Sequence, residues 1–288
     1  MNRLAALFER RRAKQRAALI GYFTVGDPGP EESLAILFAA AAAGIDALEL
    51  GFPFSDPVLD GTAIQRAHRR ALAAGASLAG TLTMVERFRS RVSDLPIVLM
   101  GYYNPVFAYG PQRFARAAAA AGVDAVILAD LPIHEAAEEL LPALADNGLG
   151  MIPLYAPNLE PPDYAVSAPG VGGFLYCIPV LGPSGGPPVP IATIAREVAR
   201  CRMHTRLPVG VGFGIRNPES AAAVARIADG VIVGSALVDH MERWVAAGAR
   251  SRTALCEGVS TFISQLCAAV GEARPADFEA SAGHAPRT

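Results

Sequence analysis

Glu49 interrupts an apolar run, Ala47-Leu48-Glu49-Leu50-Gly51. A carboxylate in such a run is costly unless it is paired, hydrogen-bonded or protonated. A carboxyl group kept protonated near neutral pH can hand over a proton and take it back. The plainer reading is a structural glutamate satisfied by its neighbours. The loop that follows, 51–61, reads Gly-Phe-Pro-Phe-Ser-Asp-Pro-Val-Leu-Asp-Gly and carries Asp56 and Asp60. Its two prolines remove backbone freedom and its acids make local turns, so it reads as an ordered loop. Asp60 stands eleven residues beyond Glu49. That spacing shares no helical face, but a strand end and its following loop can bring two carboxylates together across a pocket. Different environments would then give them different protonation roles. A simpler use competes: Asp56 or Asp60 capping the helix that begins near Thr62, which is the stronger reading from spacing alone.

Three glycine-containing turns form a second group. They are Leu181-Gly182-Pro183-Ser184-Gly185-Gly186, Gly212-Phe213-Gly214-Ile215 and Gly234-Ser235-Ala236. Glycine lets a backbone approach a ligand closely, and a helix N-terminus offers free N–H groups to an anion. One such turn is an ordinary connection. Three, each after an apolar run and the last opening a helix, point to a phosphate group.

These residues need a scaffold that gathers strand ends at one mouth. Short, nearly continuous apolar runs at 19–24, 47–50, 97–101, 125–129, 150–154, 174–178, 209–211 and 230–233 read as strands buried on both faces. Helix-like stretches alternate with them at 32–43, 64–74, 78–91, 111–121, 134–147, 191–201, 218–227, 236–248 and 252–270. Eight strands alternating with helices without a break predict an α/β fold, a single (β/α)8 TIM barrel. The second unit holds two helix-like stretches, hence a barrel with extra helices. An open doubly wound sheet competes, but no Gly-x-Gly-x-x-Gly follows the first strand. No linker or composition shift marks a second domain, so 1–270 reads as the barrel and the polar, Pro/Ala-rich 271–288 as a frayed tail. Barrel enzymes place their chemistry on the loops after the strands, where Glu49, Asp60 and the three glycine turns all fall.

Composition narrows the partners. The 25 basic and 27 acidic residues leave a net charge of -2, with no excess to attract nucleic acid or an anionic membrane. The basic cluster between Arg10 and Arg16 reads as the solvated face of an N-terminal helix. The apolar run 34–45 is too short to span a bilayer, and the N-terminus lacks the pattern of a secretory signal. Cys177, Cys201, Cys256 and Cys267 form no Cys-x-x-Cys pair or disulfide framework. None of the five histidines forms a spaced metal-ligand pair, so no metal site is expected. The expectation is a cytoplasmic protein with reduced thiols.

Taken in order, the motifs resemble the α subunit family of tryptophan synthase, from about Tyr22 to Val238. Tyr22-Phe23-Thr24-Val25-Gly26-Asp27-Pro28-Gly29 matches its opening strand and loop. Glu49-Leu50-Gly51-Phe52-Pro53-Phe54-Ser55-Asp56-Pro57 with Asp60-Gly61 and Ile64-Gln65 matches its most specific motif. Tyr102-Tyr103-Asn104-Pro105-Val106-Phe107, Gly122-Val123-Asp124 and Ala129-Asp130-Leu131-Pro132 match its third and fourth units. Val211 to Ile215 and Asp229 to Ala236 match the last two.

The resemblance implies retro-aldol cleavage of indole-3-glycerol phosphate to indole and glyceraldehyde 3-phosphate, a step of tryptophan biosynthesis. No cofactor is implied in this chain, because the indole ring takes up charge once its C3 is protonated. It assigns acid/base work to Glu49 and stabilisation of positive charge at the indole nitrogen to Asp60. Tyr102 and Asp130 would support the Asp60 loop. Backbone N–H groups of Gly185, Gly214, Gly234 and Ser235 would hold the phosphate. Tyr22, Met100, Ile127, Phe213 and Ile232 would line the indole. The implied partner is a pyridoxal-phosphate β subunit in an α2β2 complex, docking on the 53–60 loop and Asn104–Pro105; any pyridoxal phosphate would belong to that partner.

Departures fall on the loop after the sixth strand, Cys177 to Pro188, where Ser184 takes a usual threonine's place and extra prolines appear. Serine can still bond the Asp60 carboxylate, while the prolines would stiffen a closing lid. Leu59, Thr62 and Phe52 also replace more usual residues beside the two carboxylates. Two alternatives stay open: a stand-alone indole-releasing lyase of specialised metabolism, active without a β subunit, and a non-catalytic regulator that docks on one.

Overall fold

The computed structural model describes residues 2–158, 168–180, 182, 189–246 and 251–273. Its strands are β1 Ala18–Thr24, β2 Ala47–Gly51, β3 Ile97–Gly101, β4 Ala125–Leu128, β5 Gly150–Met151, β6 Leu154–Tyr155, β7 Leu175–Cys177, β8 Val209–Val211 and β9 Gly230–Val233. All the pairings between them are parallel, in the order β5-β4-β3-β2-β1-β9-β8-β7-β6. The two ends of that order are neighbours in the chain, separated by Ile152 and Pro153 alone. Ile152 N–H donates to Val126 O at 2.8 Å on one side, and Pro153 O accepts from Tyr176 N–H at 2.9 Å on the other. The sheet therefore closes on itself as the expected barrel. The predicted fifth strand, 150–154, is two short pieces because Pro153 has no N–H for the ladder.

The helices follow the strands in turn. They are α1 Arg3–Ala13, α2 Pro30–Ala42, α3 Thr62–Ala73, α4 Leu78–Arg89, α5 Tyr103–Tyr109, α6 Pro111–Ala121, α7 Ile133–Ala136, α8 Leu140–Asp146, α9 Ile191–His204, α10 Pro218–Ala225, α11 Ser235–Ala246 and α12 Arg252–Glu272. The predicted helix 134–147 is broken into α7 and α8. Pro142 cannot donate to Glu138 O, and its ring would crowd that carbonyl in a continuous helix. Helix α12 runs two residues past the expected boundary at 270, and Ala273 beyond it is buried; 274–288 lie outside the described residues. By length and composition α12 is apolar enough to cross a membrane. Yet Leu255, Val259, Ile263, Leu266 and Val270 recur at helical spacing and are buried, and the helix packs on α2, α10 and α11. Ser264 and Gln265 face solvent, the pattern of a helix lying on a barrel.

Two sets of apolar residues divide the core. Outward-facing Leu19, Leu48, Leu50, Leu99, Val126 and Leu128 pack against the helices. Inward-facing Ala18, Ile20, Ala47, Val98, Ala125 and Ile127 fill the barrel, with Phe8 of α1 among them. The alternation of side chains along a strand sorts them. The basic stretch of α1 is not wholly solvated, since Arg11 forms an ion pair with Asp46.

Candidate active site

The barrel's inner parity sets what faces the site. Register aligns Tyr22 of β1 with Glu49 of β2, Glu49 with Val98 of β3, and Val98 with Ala125 of β4. Glu49 thus shares the inward face with Ala47, one residue pair nearer the C-terminal mouth. It is 1% exposed, and its Oε2 is buried with no hydrogen-bond partner among the described residues. Burial, reinforced by the charge of Asp60, pushes its carboxyl up to about 8. Near neutral pH it holds its proton and remains able to release it, as proton exchange with a bound molecule requires.

Asp60, 6% exposed, stands at the end of the loop after β2. Tyr102, just after β3, donates its hydroxyl hydrogen to Asp60 Oδ2 at 3.0 Å. The direction is fixed because Leu59 N–H donates to the same hydroxyl oxygen at 3.1 Å. Asp130 sits one step behind: its Oδ1 accepts from Tyr103 N–H at 2.8 Å, anchoring the turn that carries Tyr102. The capping alternative for Asp56 and Asp60 is excluded. Gly61 is the N-cap of α3, no side chain caps it, and Asp56 accepts from the neighbouring Ser55 hydroxyl.

Sequence reasoning missed two residues here. His68 lies on α3, buried to 2%, with Nδ1 accepting from Phe54 N–H at 3.0 Å. Its Nε2 lies 3.5 Å from both Asp60 Oδ2 and Tyr22 Oη. The signal was present: Ile64, Ala67, His68 and Ala71 form the buried stripe of α3, and a histidine on that stripe follows a candidate catalytic loop. Tyr176 of β7 belongs to the inner barrel cluster beside Phe174, ring centroids 6.0 Å apart. Burial, then Glu49 and Asp60, raises its phenol well above the usual range. A side chain at Gly212 would overlap the Tyr176 hydroxyl, so this glycine is required by the ring beside it.

The apolar candidates on β3, β4 and β9 share the inner face of the barrel with Glu49. Ile127 of β4 and Ile232 of β9 are inner-cluster residues, with partly buried Met100 of β3 against them. Register pairs Met100 with Ile127 and Ile20 with Ile232. Tyr22 and Phe213 are 3% and 7% exposed.

A cavity of 590 Å³ adjoins these residues, lined among others by Gly212, Gly214, Gly234 and Ser235. Gly214 has φ +79°, a left-handed backbone that favours glycine. Gly234 and Ser235 lead into α11, and the first turn of a helix is the kind of element that suits an anion. Arg66, Arg216 and Arg243 also line the cavity, with Asp239 and Glu242. Glu242 holds Arg66 at 2.6 Å and Arg70 at 2.8 Å. The arginines were not singled out from sequence, because they sit on helices or beyond the glycine turns. Ser184 and Gly185 lie outside the described residues.

Comparison with known proteins finds relatives over nearly the whole chain. The family model described as tryptophan synthase alpha chain matches residues 8–266. A tryptophan synthase alpha chain from Acidiphilium cryptum (strain JF-5) is 44% identical over 277 residues, 96% of this chain and 100% of that one. The structure of tryptophan synthase subunit alpha from Legionella pneumophila str. Paris matches with a TM-score of 0.86 and 34% identity, covering 94% of this chain and 99% of that chain. A chain of Mycobacterium tuberculosis tryptophan synthase matches with a TM-score of 0.81 and 36% identity, covering 93% and 98%. With a family model matching 8–266 and a relative 44% identical over 96% of this chain, the protein belongs to the tryptophan synthase alpha chain family.

Proposed function

We propose that Glu49 and Asp60 carry the family's lyase reaction, cleavage of indole-3-glycerol phosphate. The observation that supports this best is the buried Glu49 carboxyl, raised to about 8, its Oε2 in the barrel mouth without a hydrogen-bond partner among the described residues. Glu49 gives a proton to indole C3. The bond from C3 to the glycerol carbon then breaks, and its electrons restore the indole ring. The carbinol hydroxyl on that carbon becomes the aldehyde of glyceraldehyde 3-phosphate, and its proton returns to the Glu49 carboxylate. One group acts as acid and then base, so no external proton donor is consumed. Asp60 faces the indole N–H while positive charge grows on the ring. Since Tyr102 already occupies Oδ2, Oδ1 is the oxygen for that contact.

Tyr22, Met100, Ile127, Phe213 and Ile232 enclose the indole, and Gly185, Gly214, Gly234 and Ser235 hold the phosphate through backbone N–H groups. Asp130 supports the Tyr102 turn, and the hydroxyl of Ser184, a residue outside the described ones, is assigned to the Asp60 carboxylate. We assign the chain to the cytoplasm as part of an α2β2 complex. Val58 and Leu59 are 75% and 52% exposed, and Phe107 is 62% exposed. Val58 and Leu59 lie on the 53–60 loop expected to dock a β subunit and Phe107 two residues beyond the expected Asn104–Pro105 segment, exposed apolar side chains that suit a partner-covered surface. The chain supplies no pyridoxal phosphate chemistry; that cofactor belongs with the β subunit.

The test is indole release from indole-3-glycerol phosphate by the purified chain, alone and with the β subunit of the same source. Slow release that accelerates strongly with the β subunit is expected. Fast release that is indifferent to it would make the chain a stand-alone lyase. No release in either condition would overturn the catalytic assignment and leave a docking role.

A further inference from the structure

We infer that His68 is a positioning residue for Asp60, joining the backbone of the 53–60 loop to the carboxylate that faces the indole; this rests on the role proposed for Asp60. The tautomer follows from the hydrogen bonds. Phe54 N–H donates to Nδ1 at 3.0 Å, so Nδ1 carries no hydrogen and the ring hydrogen sits on Nε2. That N–H faces two acceptors at the same 3.5 Å: Asp60 Oδ2 and the Tyr22 hydroxyl. Tyr22 has its own outlet, since Thr24 Oγ1 lies 3.2 Å from its hydroxyl. Tyr22 can donate there and still accept, so Nε2–H lies between the Tyr22 and Asp60 oxygens, and the carboxylate is the stronger acceptor of the two.

The arrangement mirrors the one through Tyr102. In each, a backbone N–H of the loop, Leu59 or Phe54, donates to a side chain that presents a hydrogen to Asp60 Oδ2. Tyr102 comes from the β3 side and His68 from α3, so the two donors hold Oδ2 from two elements and leave Oδ1 for the substrate. The His68 contact is longer than a full hydrogen bond. Contacts of this kind in ligand-free sites commonly tighten when substrate binds. Glu49 on β2, Tyr22 on β1 and Tyr176 on β7 also act electrostatically within this site. His68 adds a ring N–H at 3.5 Å from Asp60 Oδ2 to the Tyr102 hydroxyl at 3.0 Å.

Two substitutions isolate the donor. His68→Leu fills the space without polar atoms. His68→Gln places an amide N–H near the Nε2 position, and both variants lose the acceptor for Phe54 N–H. With the β subunit present, His68→Leu is expected to lower kcat for indole-3-glycerol phosphate cleavage by roughly tenfold, with KM within about twofold. His68→Gln is expected to recover most of that loss. A long-range proton–nitrogen spectrum of the wild-type protein should show a neutral ring with hydrogen on Nε2. Wild-type kcat in His68→Leu, equal impairment in both variants, or hydrogen on Nδ1 would each overturn the inference. If the wild type itself releases no indole, it is the proposed function that fails, while the tautomer measurement still decides the geometry.

Discussion

Replacing Glu49 with glutamine should stabilise the protein while removing its proton chemistry, and the stabilisation should depend on pH in a defined way. The folded carboxyl titrates at about 8 against an ordinary value of 4.5. The folded state thus keeps a proton that the unfolded chain gives up first. A raised value of this kind contributes stability that is fully present below pH 4.5 and is lost as pH rises toward 8. At pH 7 the unfolded carboxyl has gained about 3 kcal/mol by ionising, which the folded one forgoes. Glutamine has a similar shape and no such loss. The two proteins should therefore match near pH 4, and the variant should lead by about 3 kcal/mol at pH 7. For a domain of this size that difference is on the order of 5–10 °C in Tm. Calorimetry of both proteins from pH 4 to 9 measures it, and the difference curve cancels the other titrating groups. Asp60→Asn removes the second cause of the shift, so in that background the loss should finish at lower pH. Parallel curves for the wild type and Glu49→Gln across the whole range, or a variant less stable at pH 8, would refute the reasoning.

Three further outcomes follow from neighbouring geometry. Tyr102→Phe takes away the hydrogen bond to Asp60 Oδ2 and leaves Leu59 N–H without its acceptor; kcat should fall by roughly tenfold with little change in Tm, by steady-state kinetics and thermal melts. Gly51→Ala would drive a methyl group into the Tyr22 ring, so urea titration should show a loss of about 1–3 kcal/mol. Tyr22→Phe should restore only part of it, because ring carbons at 2.6 and 2.8 Å remain in the way. At the opposite end of the barrel, Asp124 is 2% exposed and accepts from Arg3 at 2.9 Å, Arg89 at 3.0 Å and Ile97 N–H at 2.9 Å. Asp124→Ala strands a largely buried Arg89 and should cost about 3–5 kcal/mol in urea titration, with KM unchanged.

The barrel was legible because its strands are apolar on both faces and alternate with helices, a pattern that survives without any tertiary information. The split of the fifth strand was less visible: an apolar run around Pro153 looks like one strand until its hydrogen bonds to two neighbours are counted. Helix α5 went unread because its seven residues, Tyr103–Tyr109, contain a proline and too few turns for a helical period to emerge. Glu49 stood out as a charge within an apolar run, and Asp60 as an acid on the following loop, but their environments did not. The orientation of Asp60 by Tyr102 joins residues 42 positions apart. The approach of His68 depends on the angle at which α3 leaves the loop. Such contacts are set by the register of β2 against β3 and by helix packing, which no local spacing encodes. The arginines of the anion cavity illustrate the same limit, since Arg66 and Glu242 meet across 176 residues.

The central claim is that Glu49 moves the proton in cleavage of indole-3-glycerol phosphate. Its most direct test is single-turnover indole release by wild type and Glu49→Gln, each saturated with substrate and with the β subunit. The account predicts measurable wild-type release and a fall of at least about 10²-fold in the variant, whose melting should show it folded. Release from Glu49→Gln at the wild-type rate would contradict it.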